Sequence, residues 1–336
     1  MAAAIWITCR WWHAIARWKW PSATPSVLGV PTARWCCGVT ATEDPVTPLL
    51  ALERGEIVTA QGPCAPSSVS RAAAYGDGIF ETIAVVDGRP LFWRHHLRRM
   101  AGGAALLGIA PPPPKFWAAS WRRLRQGLEP RALPVRCVLK LTLVRAEGRG
   151  YRTPASSPGE ASLSLWEWPR RPAGLWQEGI VVGPCPLPLQ TGASYLTVKS
   201  LNRLNQIMAR RVCPAEWDEA WLCDAHGGLR EGIQSNLFWR RGDTILTPDL
   251  WDGGIPGIQR DVILDALRRR GWSVEYTRVR AEALATADEV FFCNSLIGVW
   301  AVRDCAGQRL PGAEGALARK LLARHRELGL GATWGD

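Results

Sequence analysis

The strongest constraint on the fold of this chain is an interruption. Pro169-Arg170-Arg171-Pro172-Ala173-Gly174 breaks both helical and strand periodicity, so it reads as a linker between two blocks of regular structure. Upstream, YGDGIFETIAVVDGRPLFW (75–93) sets Asp87-Gly88 between two apolar runs, a hairpin signature. Helices are expected near His96–Leu107 and Phe116–Gly127, and strands at 135–146 and 161–168. Downstream, strands are expected at GIVVGP, EAWLCD, NLFWRR, TILTP and EVFFCNS, with a helix over about 257–270. Strands and helices do not alternate regularly, and there is no G-x-G-x-x-G fingerprint. The pattern therefore predicts a two-domain α+β chain rather than a doubly wound nucleotide fold. The expected layout is a small domain over 51–168, the linker 169–174 and a larger domain over 175–330.

Residues 1–50 differ from the rest. IWITCRWWHAIARWKW is rich in tryptophan, but Arg10, His13 and Arg17 interrupt the apolar core that a secretory signal needs. This stretch reads as an irregular extension, and its tryptophans raise an interfacial anchor as the alternative. The chain has no run long enough for a membrane span. Its net charge of +11 is scattered rather than gathered in a stripe, which argues against a nucleic-acid partner. Ten cysteines include no C-x-x-C pair, and five histidines lack ligand spacing. Reduced thiols, a cytoplasmic setting and no metal site are the expectation.

Chemistry that needs a primary amine has five candidates: Lys19, Lys115, Lys140, Lys199 and Lys320. Lys140 lies in an alternating strand and reads as a solvated or edge position. Lys199 ends a short apolar run before a polar, helix-prone segment, although this window alone also suits a surface lysine. Glu231 lies beside the apolar strand Leu237-Phe238-Trp239, and a carboxylate so placed needs a partner. That partner could be Arg230, Arg240 or a protonated pyridine nitrogen. GGIPGIQRDVILDALRRRG opens a helix whose first amides could hold a phosphate or could simply cap themselves.

Taken together and in order, YGDGIFET (75–82), HLRR (96–99), the Lys199 segment, REGIQSNLF (230–238), PGIQR (256–260) and FFCNSL (291–296) resemble the fold-type IV pyridoxal-phosphate enzymes. That family includes branched-chain and D-amino-acid aminotransferases and aminodeoxychorismate lyases. The resemblance implies pyridoxal 5'-phosphate as cofactor and Lys199 as its Schiff-base lysine. It also implies Glu231 as partner of the pyridine nitrogen, and Arg99, the amides of Ile258 and Gln259, and Ser295 as phosphate ligands. Arg94 and Arg98 are left as surface residues, and a homodimer is implied. KSLNRLNQ (199–206), GRGY (148–151) and CNSLIGV (293–299) are similar to the lyase branch more than to either aminotransferase. On that likeness Arg149 and Asn294 become substrate contacts. Ala84 departs from the pattern, since relatives often carry arginine there. An aminotransferase is the alternative, and a cofactor-free binding protein is a third reading.

Overall fold

The computed structural model of the chain describes residues 50–53, 56–59, 70–128, 133–146, 148, 150–153 and 157–330. The expected extension over residues 1–50 lies outside the described residues, Leu50 apart. The first sheet is built from β1 (Leu50–Glu53), β2 (Glu56–Thr59), β3 (Gly78–Val86), β4 (Arg89–Pro90), β5 (Ile109–Ala110), β6 (Arg136–Arg145) and β7 (Ser157–Glu167). Side by side the strands run β2-β1-β7-β6-β3-β4, with β5 joined to β7. Asp87 and Gly88 both take positive φ, 50° and 72°, as a tight two-residue hairpin requires.

Alternation along β3 sends Ile79, Ile83 and Val85 into a core shared with Leu139, Leu141, Leu143, Leu163 and Leu165. The short helix α1 (Arg71–Tyr75) precedes β3. Two longer helices, α2 (Trp93–Leu107) and α3 (Pro114–Gln126), close this core with Met100, Ala104, Trp117 and Leu124. Lys140 corrects an expectation: β6 lies between β3 and β7, so this lysine is mid-sheet and not at an edge. Its amine stands 5.2 Å from the centroid of the Phe80 ring.

After Ala173 come α4 (Gly174–Gln177) and α5 (Leu204–Val212), and the second sheet starts at Ile180. Its strands are β8 (Ile180–Pro184), β9 (Glu219–Cys223), β10 (Leu229–Gly232), β11 (Asn236–Arg241), β12 (Thr244–Pro248), β13 (Ser273–Thr277), β14 (Glu289–Asn294), β15 (Gly298–Cys305) and β16 (Gln308–Arg309). They run β10-β9-β8-β15-β14-β11-β12-β13, with β16 on β15. Parallel pairs occur at β8–β9, β8–β15 and β12–β13, so the sheet is mixed. The stacked rings of Phe238 and Phe291, 4.9 Å apart, lie at its centre. Two further helices, α6 (Ile258–Arg268) and α7 (Ala316–Glu327), cover this sheet with Ile263, Leu264, Leu267, Leu317, Leu321 and Leu322.

The α+β, two-sheet architecture is the one expected. β13, β15 and α7 were not legible as elements. Beyond α7 the chain turns at Gly329 (φ 73°) and buries Leu330 completely, in a cluster with Ala84, Val138 and Trp168. The last described residues thus clasp the first sheet, over Ala84.

Removing most of that side chain leaves a void between the two halves. Leu330→Ala should lower unfolding stability by about 2 to 4 kcal/mol. Urea denaturation checks this, and a change below about 0.5 kcal/mol, the level of an ordinary surface substitution, would show that the clasp is incidental.

Candidate active site

Lys199 follows a single 3-10 turn (Ser194–Thr197) and lies in extended backbone against β3. The Phe80 amide donates to the Lys199 carbonyl at 3.0 Å, and the Leu201 amide donates to the Gly78 carbonyl at 2.8 Å. A Cβ on Gly78 would come within 2.9 Å of Leu201 and 2.8 Å of the Leu143 carbonyl, so this close approach needs glycine. The Lys199 amine sits 4.4 Å from the Phe80 ring centroid, inside a cavity of about 290 Å³. Burial, and then the charges of Arg99 and Arg203, push it down to about 8, against the pull of Glu81 and Glu231.

Glu231 reaches the same cavity from β10. Its orientation depends on a bulge: Leu229 pairs with Cys223 and Glu231 with Leu222, which leaves Arg230 as the extra residue. Arg230 turns instead to Asp224 at 2.7 Å and Asp252 at 2.8 Å, and Arg240 pairs with Glu289 at 2.8 Å. Neither arginine is therefore the partner of Glu231. Among the described residues the carboxylate accepts from the Ile255 amide at 2.7 Å and the Asn236 side-chain amide at 3.4 Å and from no other. Burial pushes it up to about 7, while the Ile255 amide, Arg203, Lys199 and Arg260 pull it down. A buried carboxylate with no direct cation among the described residues suits a protonated ring nitrogen.

At the other end of the cavity, α6 starts at Ile258 with no side-chain cap, and Gly257, Ile258 and Gln259 line the wall. The Gln259 side chain is held by His325 on α7, and the amides of a helix start without a side-chain cap are available to an anion. Arg99 lines the cavity too and donates to Glu81 and to the Pro256 carbonyl. Arg94 and Arg98 are exposed. Ser295 lies on the wall, and no described residue holds its hydroxyl. A lysine between a buried carboxylate and an uncapped helix start with an arginine beside it fits pyridoxal phosphate. Lys199 would hold its aldehyde carbon, Glu231 its ring nitrogen, and Arg99 with the helix amides its phosphate.

Asn294 also lines the cavity, but its side chain is committed to the protein. Its oxygen accepts from the Leu296 and Ile297 amides, both at 2.9 Å, and its NH2 donates to the Gln234 carbonyl at 3.1 Å. One N–H is left for a substrate. Arg149 falls outside the described residues. Several residues were missed. Asn236 ties Glu231 to the Ile255 carbonyl, while Arg203 donates to the Val198 and Ser200 carbonyls. Buried Glu219 gathers the amides of Ala220, Ile233 and Gln234 and the Ser235 hydroxyl, fixing the 232–235 turn that lines the cavity. A larger cleft of about 550 Å³ shares Arg203, Gln206, Glu231 and Ile255 with the first.

This fold and site define a pyridoxal-phosphate enzyme of fold type IV. More particularly, the chain belongs to the amino-transferase class IV family, which matches residues 78–305. It is 28% identical over 232 residues to an aminodeoxychorismate lyase of Vibrio harveyi, covering 68% of this chain and 83% of the relative. It is equally 28% identical, over 261 residues, to a putative branched-chain-amino-acid aminotransferase of Methanocaldococcus jannaschii, covering 76% and 88%. The crystal structure of a 4-amino-4-deoxychorismate lyase from Pseudomonas aeruginosa aligns with a TM-score of 0.70 and 36% identity, covering 79% of this chain and 96% of that one.

Two outcomes test the site. Borohydride reduction of the cofactor-loaded protein followed by peptide mass spectrometry should place the pyridoxyl adduct on Lys199, and Lys199→Ala should abolish it. An adduct on Lys140, the other amine beside Phe80, would overturn the assignment. The second test uses the cofactor-free protein. The Glu231 carboxyl stands at about 7 against an ordinary 4.5, so it favours the folded state while protonated. Its contribution is complete below about pH 4.5 and is lost as pH rises to about 7, on the order of 3 kcal/mol. Glu81, held at about 2, and Lys199, near 8, titrate outside that window. Between pH 5 and 7 the melting temperature of the wild type should therefore fall relative to that of Glu231→Gln; parallel curves would refute the buried, unpaired carboxylate.

Proposed function

We propose that this protein is a 4-amino-4-deoxychorismate lyase, releasing 4-aminobenzoate and pyruvate for folate synthesis. The observation that carries the reading is the match to the Pseudomonas aeruginosa lyase, at higher identity than the quoted aminotransferase and over almost the whole of that chain. Pyridoxal phosphate, when bound, supplies an electron sink for the carbon that bears the substrate amine. The residues of this chain do the rest. With its amine near 8, Lys199 has an accessible neutral form that can take the proton from that carbon. The C–O bond of the enolpyruvyl ether then breaks as the ring becomes aromatic, and the protonated Lys199 can return a proton to the departing enolate. Aromatisation makes the step effectively irreversible, so no second amino acceptor is needed.

The substrate carries two carboxylates, and the site offers cations for them. The arginines among the described residues that line the cavity already serve the protein: Arg99 holds Glu81 and Arg203 holds backbone carbonyls. Arg149 and Lys140 complete the proposed anchoring, with Lys140 placed on the same aromatic ring as Lys199. Asn294 adds its remaining N–H, and Ser295 its hydroxyl to the phosphate. A homodimer in the cytoplasm, with domains over 51–168 and 175–330, belongs to the same proposal. An aminotransferase is the second reading, favoured by the equal identity to the archaeal relative.

Product analysis separates the two. Incubation with 4-amino-4-deoxychorismate should give 4-aminobenzoate and pyruvate in equal amounts with no keto acid added. Rapid amino exchange that depends on a keto acid, with no 4-aminobenzoate formed, would establish the aminotransferase instead.

A further inference from the structure

Glu81 lies on β3, within the first of the family-like motifs, and is 1% exposed. Buried carboxylates are rare without partners, and Glu81 has two. Arg99 donates Nε to Oε1 at 2.8 Å and Nη2 to Oε2 at 2.5 Å, a two-pronged clasp. On Oε2 it also meets His96 Nδ1 at 2.7 Å. Burial alone would raise this carboxyl, but Arg99 and His96 outweigh it and hold the group at about 2. An ionised Glu81 can only accept, so the His96 proton is on Nδ1. Burial keeps His96 below its ordinary pKa, which favours the neutral ring, and its Nε2 is buried without a partner among the described residues.

The third contact of Arg99 is across the molecule: Nη1 donates to the Pro256 carbonyl at 2.9 Å. Pro256 immediately precedes Gly257, which opens α6. The guanidinium is therefore fixed from one side by the first sheet and from the other by the loop that starts the phosphate-facing helix. Three of its five N–H groups are used in this way, leaving one on each terminal nitrogen.

We propose that Glu81 is a positioning residue for the cofactor's phosphate: its carboxylate holds Arg99 in the orientation that presents the two remaining N–H groups to the phosphate, and His96 backs the carboxylate from behind. This rests on the reading of Arg99 as a phosphate ligand. Two effects oppose each other. The negative charge of Glu81 weakens the attraction of this region for a phosphate dianion, whereas a guanidinium released from its clasp must be ordered again on each binding event. Arg99 is held in direct contact at 2.5 to 2.8 Å, and a phosphate beyond it is a full side-chain head further from Glu81. Orientation should win.

The test compares pyridoxal phosphate with pyridoxal, which lacks the phosphate, binding to the cofactor-free protein and followed by absorbance and fluorescence. Glu81→Gln should lower the preference for the phosphorylated form by roughly three- to tenfold, the scale of ordering one long side chain, read as the ratio of the two affinities so that the loss of the Glu81 charge near Lys199, common to both ligands, cancels. Arg99→Gln should lower the preference at least as much, and the double variant should lose no more than Arg99→Gln alone. If Glu81→Gln fails to fold, Glu81→Asp, which keeps the charge but retracts it, must show the same selective fall. A preference unchanged or increased in the Glu81 variant, or an equal loss for both ligands, overturns the proposal while Arg99 keeps its role. A preference unchanged in Arg99→Gln removes the phosphate reading of Arg99 and this proposal with it.

Discussion

The close approach of the Lys199 segment to β3 is the contact on which the site depends. Two backbone hydrogen bonds, Phe80 to Lys199 and Leu201 to Gly78, join residues more than a hundred positions apart. They lay an extended strand-like segment of the second half across the first sheet. The amine is thereby fixed over the Phe80 ring, with Arg99 and Arg203 near enough to lower its pKa. Gly78 makes this possible by leaving no Cβ between the two chains, and a slide of one residue would turn the lysine to the opposite face.

Around that contact the charges are sorted with little left over. Asp77 takes Arg71 and Arg145, Glu81 takes Arg99, Asp224 and Asp252 take Arg230, and Glu289 takes Arg240. Two buried carboxylates stand apart from this pairing. Glu219 has no cation but is satisfied by four donors and shapes the turn beside the cavity. Glu231 has two amide donors and a raised pKa, which is the state expected of a group whose charged partner arrives with the cofactor.

Long-range ties also join the halves away from the lysine. Arg99 links α2 and β3 to the Pro256 carbonyl, and Leu330 inserts beside Ala84. His325 on α7 holds the Gln259 side chain, so the C-terminal helix supports the start of α6 while the residues after it clasp the first sheet. The end of the cavity at the start of α6 is therefore assembled from three separated parts of the chain.

By itself the sequence determined most of the elements and singled out residues that the structure brings to one cavity. Period-two alternation marked β3, β6 and β7, short apolar runs marked β11, β12 and β14, the Asp87-Gly88 pair marked a hairpin, and the ordered motifs singled out Arg99, Lys199, Glu231 and the start of α6. What it could not determine were facts of register and neighbourhood. Alternation says that Arg230 and Glu231 point oppositely, but only the bulge against β9 decides which of them enters the cavity. Strand order, set by pairing across the chain, places Lys140 mid-sheet. Ala84 is covered by Leu330 from the far end of the described chain, and Asn294 spends most of its side chain on a turn that no window reveals. Local sequence fixes which face a residue takes relative to its neighbours, whereas the partner on that face comes from chain distant in sequence, and only the packed structure supplies it.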